Sequence, residues 1–106
     1  MKLWLDDIRT PPDDTWLWVK TAEDAITWLK TGSVTEASLD HDLAMLHYAS
    51  ALHPTLGKIS KEMTGYDVVK WMVEHNVWPR VVRVHSMNPV GAAAMRQLIQ
   101  RWKPET

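Results

Sequence analysis

Ser38-Leu39-Asp40-His41-Asp42-Leu43 sets two carboxylates on either side of a histidine at the end of a short apolar run. A strand that ends this way crowds charges at the edge of a core, where they lose water and repel one another. A divalent cation, a cluster of hydrogen-bond donors or a phosphate-bearing ligand held through a metal would each offset that repulsion. The plainer alternative is that Asp40 or Asp42 caps a turn while His41 points into water.

Working outward, other segments have matching strand character. Lys2-Leu3-Trp4-Leu5 is an apolar run closed by Asp6-Asp7, as in a buried parallel strand with polar residues at its carboxyl end. Arg9-Thr10-Pro11-Pro12-Asp13-Asp14 is a turn-rich loop, because two prolines remove backbone donors, and Trp16-Leu17-Trp18-Val19 follows as a strand. Val81-Val82-Arg83-Val84 is a β-branched strand that ends in His85-Ser86.

Three helices alternate with these strands. Thr21-Ala22-Glu23-Asp24 has capping-box spacing, Ala22, Ala25, Ile26 and Leu29 make an apolar stripe, and Gly32 marks the stop. Thr64-Gly65-Tyr66-Asp67 repeats the spacing and predicts a helix to about Asn76. Asn88-Pro89 supplies a cap and a first-turn proline, with Met95, Leu98, Ile99 and Trp102 as the expected buried face. Residues 43–63 break the pattern and suggest an insertion beside the site, a flap or a plain surface excursion. The alternation predicts a single α/β domain over 1–106, with a mostly parallel sheet of about four strands and helices packed on it.

The 45% hydrophobic content suits a globular chain, and 12 Lys plus Arg against 13 Asp plus Glu argue against a broad nucleic-acid surface. The absence of cysteine excludes disulfides and thiolate chemistry. No apolar run is long enough for a bilayer and no signal peptide is evident, so a soluble cytoplasmic protein without membrane contact is expected. Seven tryptophans without phenylalanine suggest ring packing, with Trp78 as a candidate exposed ring.

Ligands of such sheets bind outside the carboxyl ends of the strands. That rule gathers Asp6, Asp7, Asp40, His41, Asp42, His85, Ser86 and Asn88. The carboxylates of Asp6, Asp7, Asp40 and Asp42 suit Mg²⁺ or Mn²⁺, and histidine ligation would favour Mn²⁺ or Zn²⁺. His41 and His85 could carry protons on opposite sides of a bound phosphate, or His85 could be a satisfied strand-end histidine. Arg9 could grip phosphate as a fork donor or simply neutralise Asp6-Asp7.

Leu3-Trp4-Leu5-Asp6-Asp7-Ile8-Arg9, Ser38-Leu39-Asp40-His41-Asp42-Leu43, Thr64-Gly65-Tyr66-Asp67 and His85-Ser86-Met87-Asn88-Pro89-Val90-Gly91 together resemble the divergent receiver-like family named for predicted cyclic-phosphate processing. The resemblance covers most of the chain outside 43–63, and implies a reduced receiver-like, flavodoxin-like three-layer sandwich. From ordinary receivers it implies that Asp6 and Asp7 bind metal, Asp40 accepts a phosphoryl group or ligates, and Ser86 contacts phosphate. Two departures stand out: no helix fits between Asp7 and Trp16, and no fifth strand precedes Lys103-Pro104 to present the receiver lysine.

The expectation is therefore a metal-dependent phosphoesterase acting on cyclic phosphate ends or nucleotides. Asp6, Asp7, Asp40 and Asp42 would surround the metal, His41, His85 and Asp40 would carry the chemistry, and Arg9, Ser86 and Asn88 would hold phosphate. The expected partner is a small phosphate-bearing ligand, a nucleotide or an RNA end. A phosphoacceptor switch at Asp40 and a non-catalytic nucleotide- or protein-binding module are the alternatives.

Overall fold

A computed structural model describes residues 1–43 and 63–104. The insertion expected at 43–63 therefore lies outside the described residues, apart from its ends. Leu43 is buried there and Met63 packs on the core.

Four strands, β1 (Lys2–Leu5), β2 (Trp16–Val19), β3 (Glu36–Leu39) and β4 (Val81–Val84), form one sheet in the order β2-β1-β3-β4. All three pairings are parallel. Among the described residues three helices follow β2, β3 and β4: α1 (Ala22–Leu29), α2 (Gly65–His75) and α3 (Pro89–Trp102). The strand order is that of flavodoxin-like sheets, whose ligand crevice opens where the order reverses, between β1 and β3. Asp6, Asp7 and Asp40 directly follow those two strands.

The helices begin where the sequence signals them. Thr21 Oγ1 accepts the Asp24 amide at 3.1 Å, and α1 buries Ala22, Ala25, Ile26 and Leu29. The Asp67 carboxylate accepts the Thr64 amide at 2.7 Å at the start of α2, and Asn76, at φ 52°, ends that helix in the left-handed region. Asn88 caps α3 by accepting the Gly91 amide at 3.0 Å.

Side-chain alternation divides the sheet into two unlike faces. Leu3, Leu5, Val19, Ala37 and Leu39 join buried residues of all three helices in one aliphatic core. Trp4, Ser38 and the rings of Trp16 and Trp18 stand outside that core. On their face the third layer of the expected sandwich is supplied, among the described residues, by aromatic rings and the loop after β1 rather than by a helix. Trp4 packs edge-on to Trp16 and donates its indole N–H to the Arg9 carbonyl at 2.8 Å, which fastens that loop over it. No helix forms between Asp7 and Trp16, in keeping with the two prolines.

Two expectations about tryptophan need correction. Trp102 is 50% exposed, because the last turn of α3 runs past the core and burial shifts one turn back, to Gly91, Ala92 and Met95. Trp78 is half-buried against the core, and Trp28 and Trp102 are the exposed rings.

Candidate functional site

Asp6 and Asp7 are 4% and 6% exposed, an unusual degree of burial for adjacent carboxylates. With the half-buried Asp40 they place three carboxylate oxygens within 4.8 Å of one another. Octahedral Mg²⁺ or Mn²⁺, with oxygens about 2.1 Å from the ion, needs ligand oxygens about 3 to 4 Å apart. The set fits such an ion after a small contraction, and its all-oxygen character suits a hard cation.

Burial, with Asp6 beside it, pushes the Asp40 carboxyl above its ordinary range. Hydrogen bonds from the Ser86 hydroxyl and the His41 amide, with the neighbouring His85 imidazole, pull the other way. The Asp40 carboxyl is thus drawn both ways, with burial and the neighbouring carboxylate prevailing.

Each carboxylate is positioned by its surroundings. Asp6 Oδ1 accepts the amides of Ile8 and Arg9 at 2.9 and 2.8 Å, which folds the chain back immediately after β1. Its Oδ2 meets His85 Nε2 at 3.1 Å. Asp40 is fixed by the approach of α2, whose first amide, Gly65, bonds the His41 carbonyl at 3.0 Å. A Cβ at Gly65 would overlap the Asp40 carbonyl oxygen, so only glycine lets the helix begin there.

His85 is held on three sides. Its Nδ1 meets Ser38 Oγ at 2.7 Å, its Nε2 meets Asp6, and its ring stacks on Trp4 with centroids 3.9 Å apart and planes 4° from parallel. Burial holds the imidazole below its ordinary pKa, against the pull of Asp6 and Asp40. Against a carboxylate, which can only accept, neutral His85 donates from Nε2 to Asp6 and accepts the Ser38 hydroxyl on Nδ1.

His41 lies on the other side of Asp40. Its Nδ1 meets Asp42 at 2.7 Å, and the Asn88 side-chain amide donates to the same carboxylate at 3.3 Å. The ring rests on the first turn of α3, where a Cβ at Gly91 would come within 2.5 Å of it. Asp42 is thus tied to His41 and Asn88 and lies outside the three-carboxylate group.

Asp6, Asp7, Ile8, Arg9, Asp40, Asp42, Ser86 and Met87 line a pocket of about 220 Å³. Arg9 is anchored there by a bond from its guanidinium to the His85 carbonyl at 3.2 Å, and Ser86 Oγ accepts the Asn88 amide at 3.0 Å. Of the expected residues, His41, His85 and Asn88 stand behind this lining rather than in it. Lys103 lies beside Asn76, Trp78 and Arg80, near the start of β4 and away from the carboxylates, so it does not take the receiver lysine's place.

Ser38 and Trp4, which hold His85, and the lining residues Ile8 and Met87 were not singled out from sequence. A polar residue inside a buried parallel strand needs a partner, which was the available signal for Ser38.

Residues 1–101 match the family described as the Cyclic-phosphate processing Receiver domain. The chain belongs to this family. No curated protein and no solved structure matches it. The match includes both aspartate-bearing strand ends and the Ser86 loop.

Proposed function

We propose that this receiver domain is a metal-dependent phosphoesterase that opens cyclic phosphodiesters at nucleotide or RNA ends. The observation that carries the reading is the convergence of Asp6, Asp7 and Asp40 within 4.8 Å on the floor of a pocket that also holds Arg9 and Ser86. Asp6, Asp7 and Asp40 would hold Mg²⁺ or Mn²⁺. The ion, when bound, supplies Lewis-acid polarisation of the phosphate and a counter-charge for the carboxylates.

The remaining work falls to the chain's own groups. Arg9, with its guanidinium anchored at one end, offers its other N–H donors to the phosphate oxygens, and Ser86 offers its hydroxyl. In hydrolysis a water oxygen forms a bond to phosphorus and gives up a proton, one ring P–O bond breaks, and the freed sugar oxygen takes a proton from solvent. Asp42, which lines the pocket, holds His41 by Nδ1, and from behind that lining His41 Nε2 would take the proton through one intervening water, the role of an oriented base. His85, with both nitrogens engaged, serves to aim Asp6 rather than to exchange protons with substrate.

The test is incubation with 2′,3′-cyclic nucleotides with and without Mg²⁺ or Mn²⁺, followed by chromatography of the products. Metal-dependent formation of a phosphomonoester is expected, abolished in Asp40→Ala and reduced about 100-fold or more in His41→Ala. No product with any metal would overturn the enzyme reading.

A second reading, a phosphoacceptor switch, is favoured by the Ser86 hydroxyl bond to Asp40, which places a hydroxyl beside a candidate acceptor. It predicts a labile, metal-dependent label on Asp40 from a small phosphodonor, absent in Asp40→Asn.

A further inference from the structure

Two of the most exposed apolar side chains in the described structure lie on the acidic pocket. Ile8 is 73% exposed and Met87 is 82% exposed, and both line the same cavity as Asp6, Asp7, Asp40 and Ser86. They arise from the loops after β1 and β4, the strands on either side of β3, and so flank the strand that delivers Asp40. Neither belongs to the aliphatic core or packs against it.

The floor and the lips ask for different chemistry. A charged floor with Arg9 and Ser86 recognises phosphate, whereas aliphatic lips gain nothing from a phosphate or a bare sugar. At about 220 Å³ the pocket is smaller than the roughly 300–1,000 Å³ typical of sites that enclose a drug-sized ligand. A cyclic phosphate and its ribose are of about this size, so the group the ribose carries would lie at the mouth, where the lining side chains of Ile8 and Met87 are exposed.

We propose that Ile8 and Met87 form a nucleobase subsite, a pair of apolar lips that clasp the base of a nucleoside cyclic phosphate whose phosphate sits on the carboxylate floor. This rests on the phosphoester reading of the pocket and names the group attached to the phosphate. Ile8 has no hydrogen-bonding group, and the Met87 thioether is flexible and only a weak acceptor, so the lips hold a flat ring without reading its edge. All four bases are therefore accepted, within about threefold of one another.

The decisive experiment is NMR titration of the full chain, in Mg²⁺ and with spectra recorded early enough to read binding and any product separately, with adenosine, cytidine, guanosine and uridine 2′,3′-cyclic phosphates and with methyl riboside 2,3-cyclic phosphate, which lacks a base. The nucleosides should bind about tenfold more tightly than the methyl riboside. In the Ile8→Ser/Met87→Ser double variant that ratio should collapse towards one. Equal affinity for the two classes of probe in the wild type, or a ratio that survives in the double variant, overturns the subsite. Absence of binding by every probe overturns it as well.

Retained selectivity without any product would instead sink the esterase reading and leave the subsite standing, so the two failures are distinguishable. A tetranucleotide ending in 2′,3′-cyclic phosphate identifies the source. Tighter binding than the mononucleotide points to RNA ends, and equal binding to free nucleotides, both through the same base contact.

Discussion

The two histidines next to the carboxylates occupy opposite kinds of surroundings. His85 is sandwiched among Trp4, Ser38 and Asp6 with both ring nitrogens engaged. His41 has one nitrogen bound to an exposed carboxylate and a ring laid on a helix turn. Similar strand-end positions thus yield one histidine built into the framework and one held through an exposed carboxylate at the edge of the site. The difference arises from alternation: Ser38 and Trp4 point to the face from which His85 continues, whereas His41 turns towards α3.

The contrast breaks most severely at the glycines that shape it. Gly65→Ala should destabilise the fold by about 3 kcal/mol or more, because the added methyl meets backbone rather than a yielding side chain. Gly91→Ala should cost less, since the His41 ring can swing away, and its main effect should be lost turnover. Urea unfolding of both variants beside a turnover assay checks the order.

Next comes the pair of histidine deletions. His85→Ala removes a stacked ring and strands Ser38 and an Asp6 oxygen, at about 2–3 kcal/mol of stability. It should also weaken metal binding about tenfold. His41→Ala should leave the urea midpoint nearly unchanged and lower kcat instead. Equal loss of stability in the two variants would erase the distinction between framework and site-edge histidine.

The smallest expected effect is a pH dependence from Asp40. Its native carboxyl is raised by burial and by Asp6. Between the unfolded value, about 4, and the raised native value, the metal-free native state therefore binds protons that the unfolded chain has released. Unfolded minus native proton binding is negative there, so stability from this group is present at low pH and falls as pH rises through the window. Saturating Mg²⁺, which requires the ionised form, should reverse that contribution, and Asp40→Asn should flatten it. Urea midpoints across the window, with and without Mg²⁺, measure both effects.

Much of this architecture was legible in the sequence because local signals agreed. Capping residues, β-branched runs and an apolar stripe each marked an element, and the carboxyl-end rule then brought Asp6, Asp7, Asp40 and Ser86 together. What sequence did not convey depended on register across strands. Whether His85 faces a bound phosphate or Ser38 is set by which residue of β3 lies beside it, and no periodicity in either strand contains that information. Trp102 misled for a related reason: helical spacing predicts a face, but not where the sheet beneath it ends.

The bond between His85 and Asp6 joins residues 79 positions apart. Such a closure cannot form while the chain is short, and β4 has to dock on β3 before the imidazole reaches its carboxylate. During synthesis, then, the acidic pair of β1 emerges long before the histidine that aims it. Any metal affinity that depends on an aimed Asp6 would therefore be acquired late, once β4 and α3 have docked.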